Sequence, residues 1–467
     1  MAYRSFSLCG VLTLLISAHG AFALTGKAVV IISQKNVAAS SKLLVVHVSN
    51  NVVTGTDTIL RGGVFYDPRW SFNGSRIAFY RNGGGVSIID SDGKNLRTVA
   101  RTIDWSSADQ EYFIDWPGSD GGKWVYYNKP CSPCFNNGSG EVWRVNVNDT
   151  AQKQMLCDLK RDNSNTWISG PGFHLSSDAK YATMEIWGTT AQLGYDKGPD
   201  NMVAFTFPPQ VDQSTGLVTS LNQANTSNSN FGGCNAAISA SGNIIYNFLG
   251  GHAQFYASLW NHTSNTATKY TIGTGPSGSL DLFKDVGPVL KSGQLPGECF
   301  SHIVGSCNSD QVITSIIFWQ YGVGTSGRET NQMVVNWKEK AAVYTTNIPD
   351  SRLSPSGPMT NFFWVDMGDF WVDNTGHRGC YMGVNGNWIA IPGADASEPV
   401  KVMPGVSSGS GFRSTGGITA IYDLKGARMG RYDSREPPAR LRRGGYVVID
   451  HAGLRNALIV QSGESRR

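Results

Sequence analysis

The side chains of this 467-residue sequence that could meet a ligand are Arg69, His174, His252, His302, Trp364 and Asp366. His252 and His377 each follow a glycine, which puts them on loops or strand ends. Imidazoles gathered with Asp366 and Asp369 have the donor types for a divalent ion. No H-x-x-x-H or H-E-x-x-H pair occurs, however, and scattered His and Asp in Gly-rich loops ordinarily cap turns or face water. Neither a metal nor a cofactor is therefore expected. Asp115, Glu185 and Asp366 are the carboxylates that could form a glycosidase pair, which requires two carboxyls at a set separation. The sequence assigns no catalytic residue. Gly405 to Gly409 spells G-x-S-x-G, but in a Gly/Ser run without the strand-to-helix setting of a nucleophile elbow.

The elements that must position these residues are short strands. Asp67 to Ala100 reads as three or four antiparallel strands, broken by turns at Asn73-Gly74, Gly83 to Gly85 and Asp92-Gly93. Asn-Gly supplies the positive φ that a two-residue turn demands. One such sheet has two open edges and an uncovered apolar face, so it cannot stand alone. Degenerate copies follow near Asp115, Gly172, Gly233, Cys307 and Phe362, at a spacing suited to propeller blades. With 55 Gly, 13 Trp and 16% charged residues the composition suits a turn-rich all-β protein. The tryptophans recur in likely strand positions and should pack between blades, while Trp364 and Trp371 could form a platform for sugar rings.

Trp70-Ser71-Phe72-Asn73-Gly74-Ser75-Arg76-Ile77-Ala78-Phe79 resembles the repeat of TolB-like β-propellers, W-S-P-D-G-x-x-I-A-F, and Ile88 to Gly93 resembles that family's second half-blade. The resemblance implies an all-β fold of six, alternatively seven, blades. The residue before each first turn then sits near the central channel, which places Arg69, His174 and Ala237 at related stations and His302 at a similar one. Two N-terminal strands, within Leu24 to Val48, are expected to complete the last blade and close the ring.

Met1 to Ala23 has a basic start, an apolar core from Leu8 to Ile16 and a small-x-small site, Ala21-Phe22-Ala23, the pattern of a secretory signal. The expected domains are signal 1–23, propeller 24–404, Gly/Ser linker 405–416 and a small β module 417–467. Export permits disulfides. Cys299 and Cys307 could close a loop; Cys131 and Cys134 could bridge to each other, or one of them to Cys157. From Gly417 onward ten Lys and Arg face five Asp and Glu, so the positive charge of the chain belongs to its tail. The tail's Tyr422-Asp423-Leu424-Lys425-Gly426, Leu441 to Val448, and Arg455 before Ile459-Val460 resemble the C-terminal sorting domains of type IX secretion substrates. That resemblance implies delivery to the cell surface or beyond, with the periplasm as the alternative, and the secretion machinery as a partner.

The functional expectation is an exported propeller that binds a carbohydrate or an envelope protein through its loop face. The alternative is a carbohydrate-active hydrolase or lyase with its site in the funnel. Nucleic acid is not an expected partner, because basic and aromatic residues do not interleave.

Overall fold

The structure is a computed structural model. It describes residues 23–34, 40–83, 85–101, 113–130, 139–161, 166–167, 173–186, 201–224, 236–249, 254–270, 280–286, 298–319, 328–346, 363–394, 418–423, 428–433, 444–449 and 455–460. The chain forms two compact units, Met1–Ser397 and Glu398–Arg467.

The first unit is a six-bladed β-propeller. Blade 1 contains Phe65–Trp70, Arg76–Arg81, Gly85–Asp90 and Arg97–Ala100, paired in that order from the axis outward. Blade 2 contains Ile114–Asp115, Trp124–Pro130, Ser139–Asn146 and Lys153–Asp158. Blade 3 runs through His174–Leu175, Tyr181–Ile186 and Asn201–Thr206, and Phe205 pairs with Gln223 at its outer edge. Blade 4 contains Ala236–Ile238, Ile244–Leu249, Gln254–Asn261 and Thr266–Tyr270. Blade 5 contains Glu298–Gly305, Val312–Trp319, Arg328–Asn336 and Ala341–Tyr344. Blade 6 joins the two ends of the unit: Phe363–Val372 is innermost, followed by Gly26–Gln34, Lys42–Ser49 and Val52–Arg61.

A serine ends the inner strand in four blades. The backbone N–H of Ser71, Ser176 and Ser239 donates to the carbonyl five residues on, at 2.8, 2.9 and 2.9 Å, and that of Ser306 donates to Val312 at 3.0 Å. In return the hydroxyls of Ser71, Ser176 and Ser239 accept the N–H of Arg76, Tyr181 and Ile244. The side chain thus replaces a ladder bond where the strand stops, which is how small polar residues make turns. Gly74, at φ +66°, is required twice over, because an added Cβ would also lie 2.4 Å from the Trp371 ring.

The core lies in the seams between blades rather than inside any one of them. Ala78, Tyr80 and Val86 meet Ile114, Trp116 and Val125 between blades 1 and 2. Phe113 and Val142 meet Phe173 and Phe205 between blades 2 and 3. Ala204 meets Ile245 and Trp260 between blades 3 and 4, and Tyr246 and Phe248 meet Ile303 and Met333 between blades 4 and 5. Val312 and Val334 meet Val30 and Val365 between blades 5 and 6. Val29 and Val45 meet Phe65, Trp70 and Phe79 between blades 6 and 1, which shuts the ring. Trp70, Trp116, Trp260 and Trp337 each fill a different seam and are essentially unexposed. At ~25 cal/mol per Å², a ring taking ~200 Å² out of water is worth about 5 kcal/mol before entropy is counted.

The structure corrects the sequence reading at several points. Three N-terminal strands complete blade 6, not two, and the blade count is six rather than seven. Trp388–Ala390 is not a blade strand; it pairs with Cys380–Met382 in a separate hairpin, because the N-terminal strands already occupy the rest of blade 6. Cys299 and Cys307 do not bridge: Glu298–Gly305 is an extended strand, and Cys307 is a free thiol. Six residues of strand separate their α-carbons by roughly 20 Å, against the ~7 Å a disulfide tolerates. Cys157 is likewise a free, buried thiol, so it bridges neither Cys131 nor Cys134. The signal, Cys131, Cys134 and the Gly/Ser linker lie outside the described residues.

The second unit contains a four-stranded antiparallel sheet in the order Arg428–Asp433, Ile418–Asp423, Gly444–Ile449, Arg455–Val460. The strand Arg428–Asp433 was not anticipated from the residues. Among the described residues no helix is long and apolar enough to cross a membrane.

Candidate functional site at the turn end of the channel

Inner strands of the six blades converge on a narrow recess with room for about one water molecule. Arg69, Asp115, His174, Cys307 and Asp369 line it, with Ile238 and Gly305 supplying the apolar and backbone surface. Arg69, Asp115 and His174 come from equivalent ends of the inner strands of blades 1, 2 and 3.

Among the described residues Arg69 is the only guanidinium in the recess lining, and it is 2% exposed. Its Nη2 lies 2.7 Å from Asp67 Oδ1, and its Nε lies 3.9 Å from Asp115 Oδ1, within ion-pair range. Its Nη1 donates to the Pro68 carbonyl at 3.1 Å. Asp67 was not singled out from the sequence. Its neighbour spacing hid it: the pairing register of blade 1 shifts between Tyr66 and Arg69, and Asp67 has φ +49°. A bulge of this kind re-aims a side chain, so strict alternation no longer predicts which residues meet.

Each carboxylate carries a seam as well as a charge. Asp67 Oδ2 accepts the N–H of Ile114 at 2.9 Å, joining blade 1 to blade 2. Asp115 Oδ2 accepts the N–H of Leu175 at 2.9 Å, joining blade 2 to blade 3. Asp369 Oδ2 accepts the N–H of Trp70 at 3.0 Å across the closing seam, while its Oδ1 accepts the N–H of Phe370 at 2.7 Å. Burial pushes the Asp115 carboxyl well above the usual range, against the pull of Arg69. Burial likewise pushes Asp369 up to about 6, opposed by Arg69 and the backbone bonds. Cys307 lines the same recess, and its thiol is raised by burial first and by Asp369 and Asp115 next. Carboxyls of this kind, each held by a backbone donor of the next blade, staple the inner strands to one another. Among the described residues no group of three or more His, Cys, Asp and Glu is arranged to hold a metal ion.

Of the predicted site residues, Arg69 and His174 lie together in this recess. Ala237 is buried one residue away from the actual lining residue, Ile238. His302 stands in the inner strand of blade 5, and Trp364 and Asp366 pair with Ser33 and Ile31 in blade 6. For these three the structure describes the backbone alone. His252 lies outside the described residues. Trp371 is no sugar platform: it is 8% exposed, packed on Gly74, with its indole N–H on the Phe72 carbonyl at 3.1 Å.

The fold defines the class: a six-bladed β-propeller with a buried acidic cluster stapling its inner strands. Solved structures similar to it include TolB from Acinetobacter baumannii, at 10% identity and TM-score 0.41, covering 75% of this chain and 67% of that one. A protein from Lactobacillus plantarum is 11% identical with TM-score 0.38, covering 67% of this chain and 79% of that one. Hydrazine synthase of Kuenenia stuttgartiensis is 11% identical with TM-score 0.30, covering 58% of this chain and 62% of that one. No protein family's sequence pattern matches the chain, and no curated protein does.

Proposed function

We propose that this protein is an exported binding propeller that takes an envelope protein as partner on its loop rim. The observation that carries this reading is how the recess carboxylates are used. Asp67, Asp115 and Asp369 each hold the next blade's inner strand by a backbone N–H, which suits a structural hub better than a hydrolytic pair facing substrate. Contact with a partner then falls to the connections between strands. On the turn rim these are short, as from Trp70 to Arg76, Leu175 to Tyr181 and Ile238 to Ile244. On the opposite rim the strand ends are farther apart in sequence: Ala100 and Ile114, Ile186 and Asn201, Ala224 and Ala236. Long loops on a rigid scaffold are where recognition is usually placed. Among the described residues Trp70, Trp116, Trp260, Trp337 and Trp371 are buried in seams, which removes these five as stacking faces for a sugar ring. Delivery by the N-terminal signal and a C-terminal sorting module belongs to the same proposal.

The test is retention of envelope proteins and of a polysaccharide panel by the purified mature chain, scored together with new reducing ends. Saturable retention of a protein, abolished when residues 187–200 are shortened, is the expected result. New reducing ends would instead make the protein a carbohydrate-cleaving enzyme.

A further inference from the structure

The segment Asp373–Ala394 leaves the innermost strand of blade 6 at the turn rim with no place left in its own sheet. It docks first on blade 5. Met382 accepts the N–H of Asp310 at 2.7 Å and donates to the Asn308 carbonyl at 2.9 Å. Gln311 Nε2 reaches the carbonyls of Gly383 and Val384 at 3.3 and 3.1 Å. The segment ends on blade 2, where Gly121 donates its N–H to the Gly393 carbonyl at 2.7 Å. Blades 5 and 2 stand opposite one another in a ring of six, so the chain between these anchors passes over the axis.

One further contact agrees with that path: the Ser177 hydroxyl of blade 3 donates to the Cys307 carbonyl of blade 5. Tyr381, half-buried, lies within the segment and pairs with Ile389 across its own hairpin. We infer that Asp373–Ala394 is a strap that closes the turn end of the channel over this Ser177–Cys307 latch. The recess around Arg69 is then a one-ended pocket, entered from the loop rim, and opens at the turn rim only when the strap lifts. Gly376 and Gly393, at φ +88° and +78°, flank the segment at the points where its backbone can rotate.

Cys307, partly exposed, reports on this directly, because it lines the recess with Asp115 and Asp369 and its carbonyl accepts the Ser177 bond. Full-length protein and the variant Ser177→Ala/Gln311→Ala are treated with a bulky polyethylene-glycol maleimide, and each cysteine is followed by peptide mass spectrometry. Modification of Cys307 is expected to be at least ~10-fold faster in the variant, with Cys157, buried in the seam of blades 2 and 3, protected in both. Equal rates at Cys307 overturn the inference. Should the variant expose Cys157 as well, Tyr381→Ala decides by the same comparison: an unchanged Cys307 rate overturns it, and a faster one supports it.

Discussion

At the scale of single residues, the molecule turns on carboxyls that are buried without full charge compensation. Arg69 pairs with Asp67 and faces Asp115, so Arg69→Met leaves acids stranded in a dry site. Breaking a buried pair from one side costs about 3–5 kcal/mol. Denaturant unfolding should show a loss of that order, and adding Asp67→Asn should recover part of it through a coupling of about 1–3 kcal/mol. Asp310 and Asp369 are both pushed up to about 6 by burial, from an ordinary value of 3.8. Between those two values the folded protein holds more protons than the unfolded chain, so these groups contribute stability below the lower value and lose it as pH rises through 6. Asp310→Asn keeps an acceptor for the Ser241 N–H, which Asp310 Oδ1 holds at 2.8 Å. It should therefore narrow the fall in unfolding free energy between pH 5 and pH 7.5 by about 1 kcal/mol, read as a smaller difference in Tm between the two. An unchanged pH dependence would remove Asp310 as a source of it.

The turn that closes each inner strand decides stability at the scale of the element. Gly74 and Gly83 both have positive φ, +66° and +75°, yet only Gly74 lies against a neighbour. Gly83→Ala should cost about 1 kcal/mol, the left-handed penalty alone. Gly74→Ala must also displace the Trp371 ring and with it the closing seam, so it should cost at least twice as much. Thermal melts of the two variants make the comparison, and equal shifts would mean that the ring yields freely. Repeat letters made these turns legible: Ser71-Phe72-Asn73-Gly74 and Ser239-Ala240-Ser241-Gly242 stand out in the sequence, and the second, third and fourth strands of blade 1 lie where the apolar runs put them, while the first begins at Phe65, ahead of the expected start at Asp67. The third N-terminal strand, Val52–Arg61, was not legible, because it is mostly exposed and lacks an apolar alternation. Its place comes from pairing with Lys42–Ser49.

For the whole molecule, closure is what matters. Blade 6 is assembled from Phe363–Val372 and three strands that lie more than three hundred residues earlier. Removing residues 24–62 should therefore abolish the cooperative melt of the entire first unit, since both seams of blade 6 vanish. Removing residues 398–467, which form their own compact unit, should leave that melt in place. Limited proteolysis with circular dichroism distinguishes the two truncations, and a first unit that unfolds in both would contradict independent units.

The sequence by itself determined the all-β class, the repeat, the stations of Arg69 and His174 and the use of the N-terminus to finish the last blade. These follow from local patterns: turn residues at fixed offsets, and apolar strands too small to be stable singly. Only the tertiary structure decided that Asp67 pairs with Arg69 beside Asp115 and Asp369, that Cys307 lines the same recess, and that the residues after Val372 leave the sheet to cross the axis. The physical reason is that these contacts join residues from different blades. Their meeting depends on the bulge at Asp67 and on the order in which six sheets surround an axis, neither of which is written in neighbouring letters.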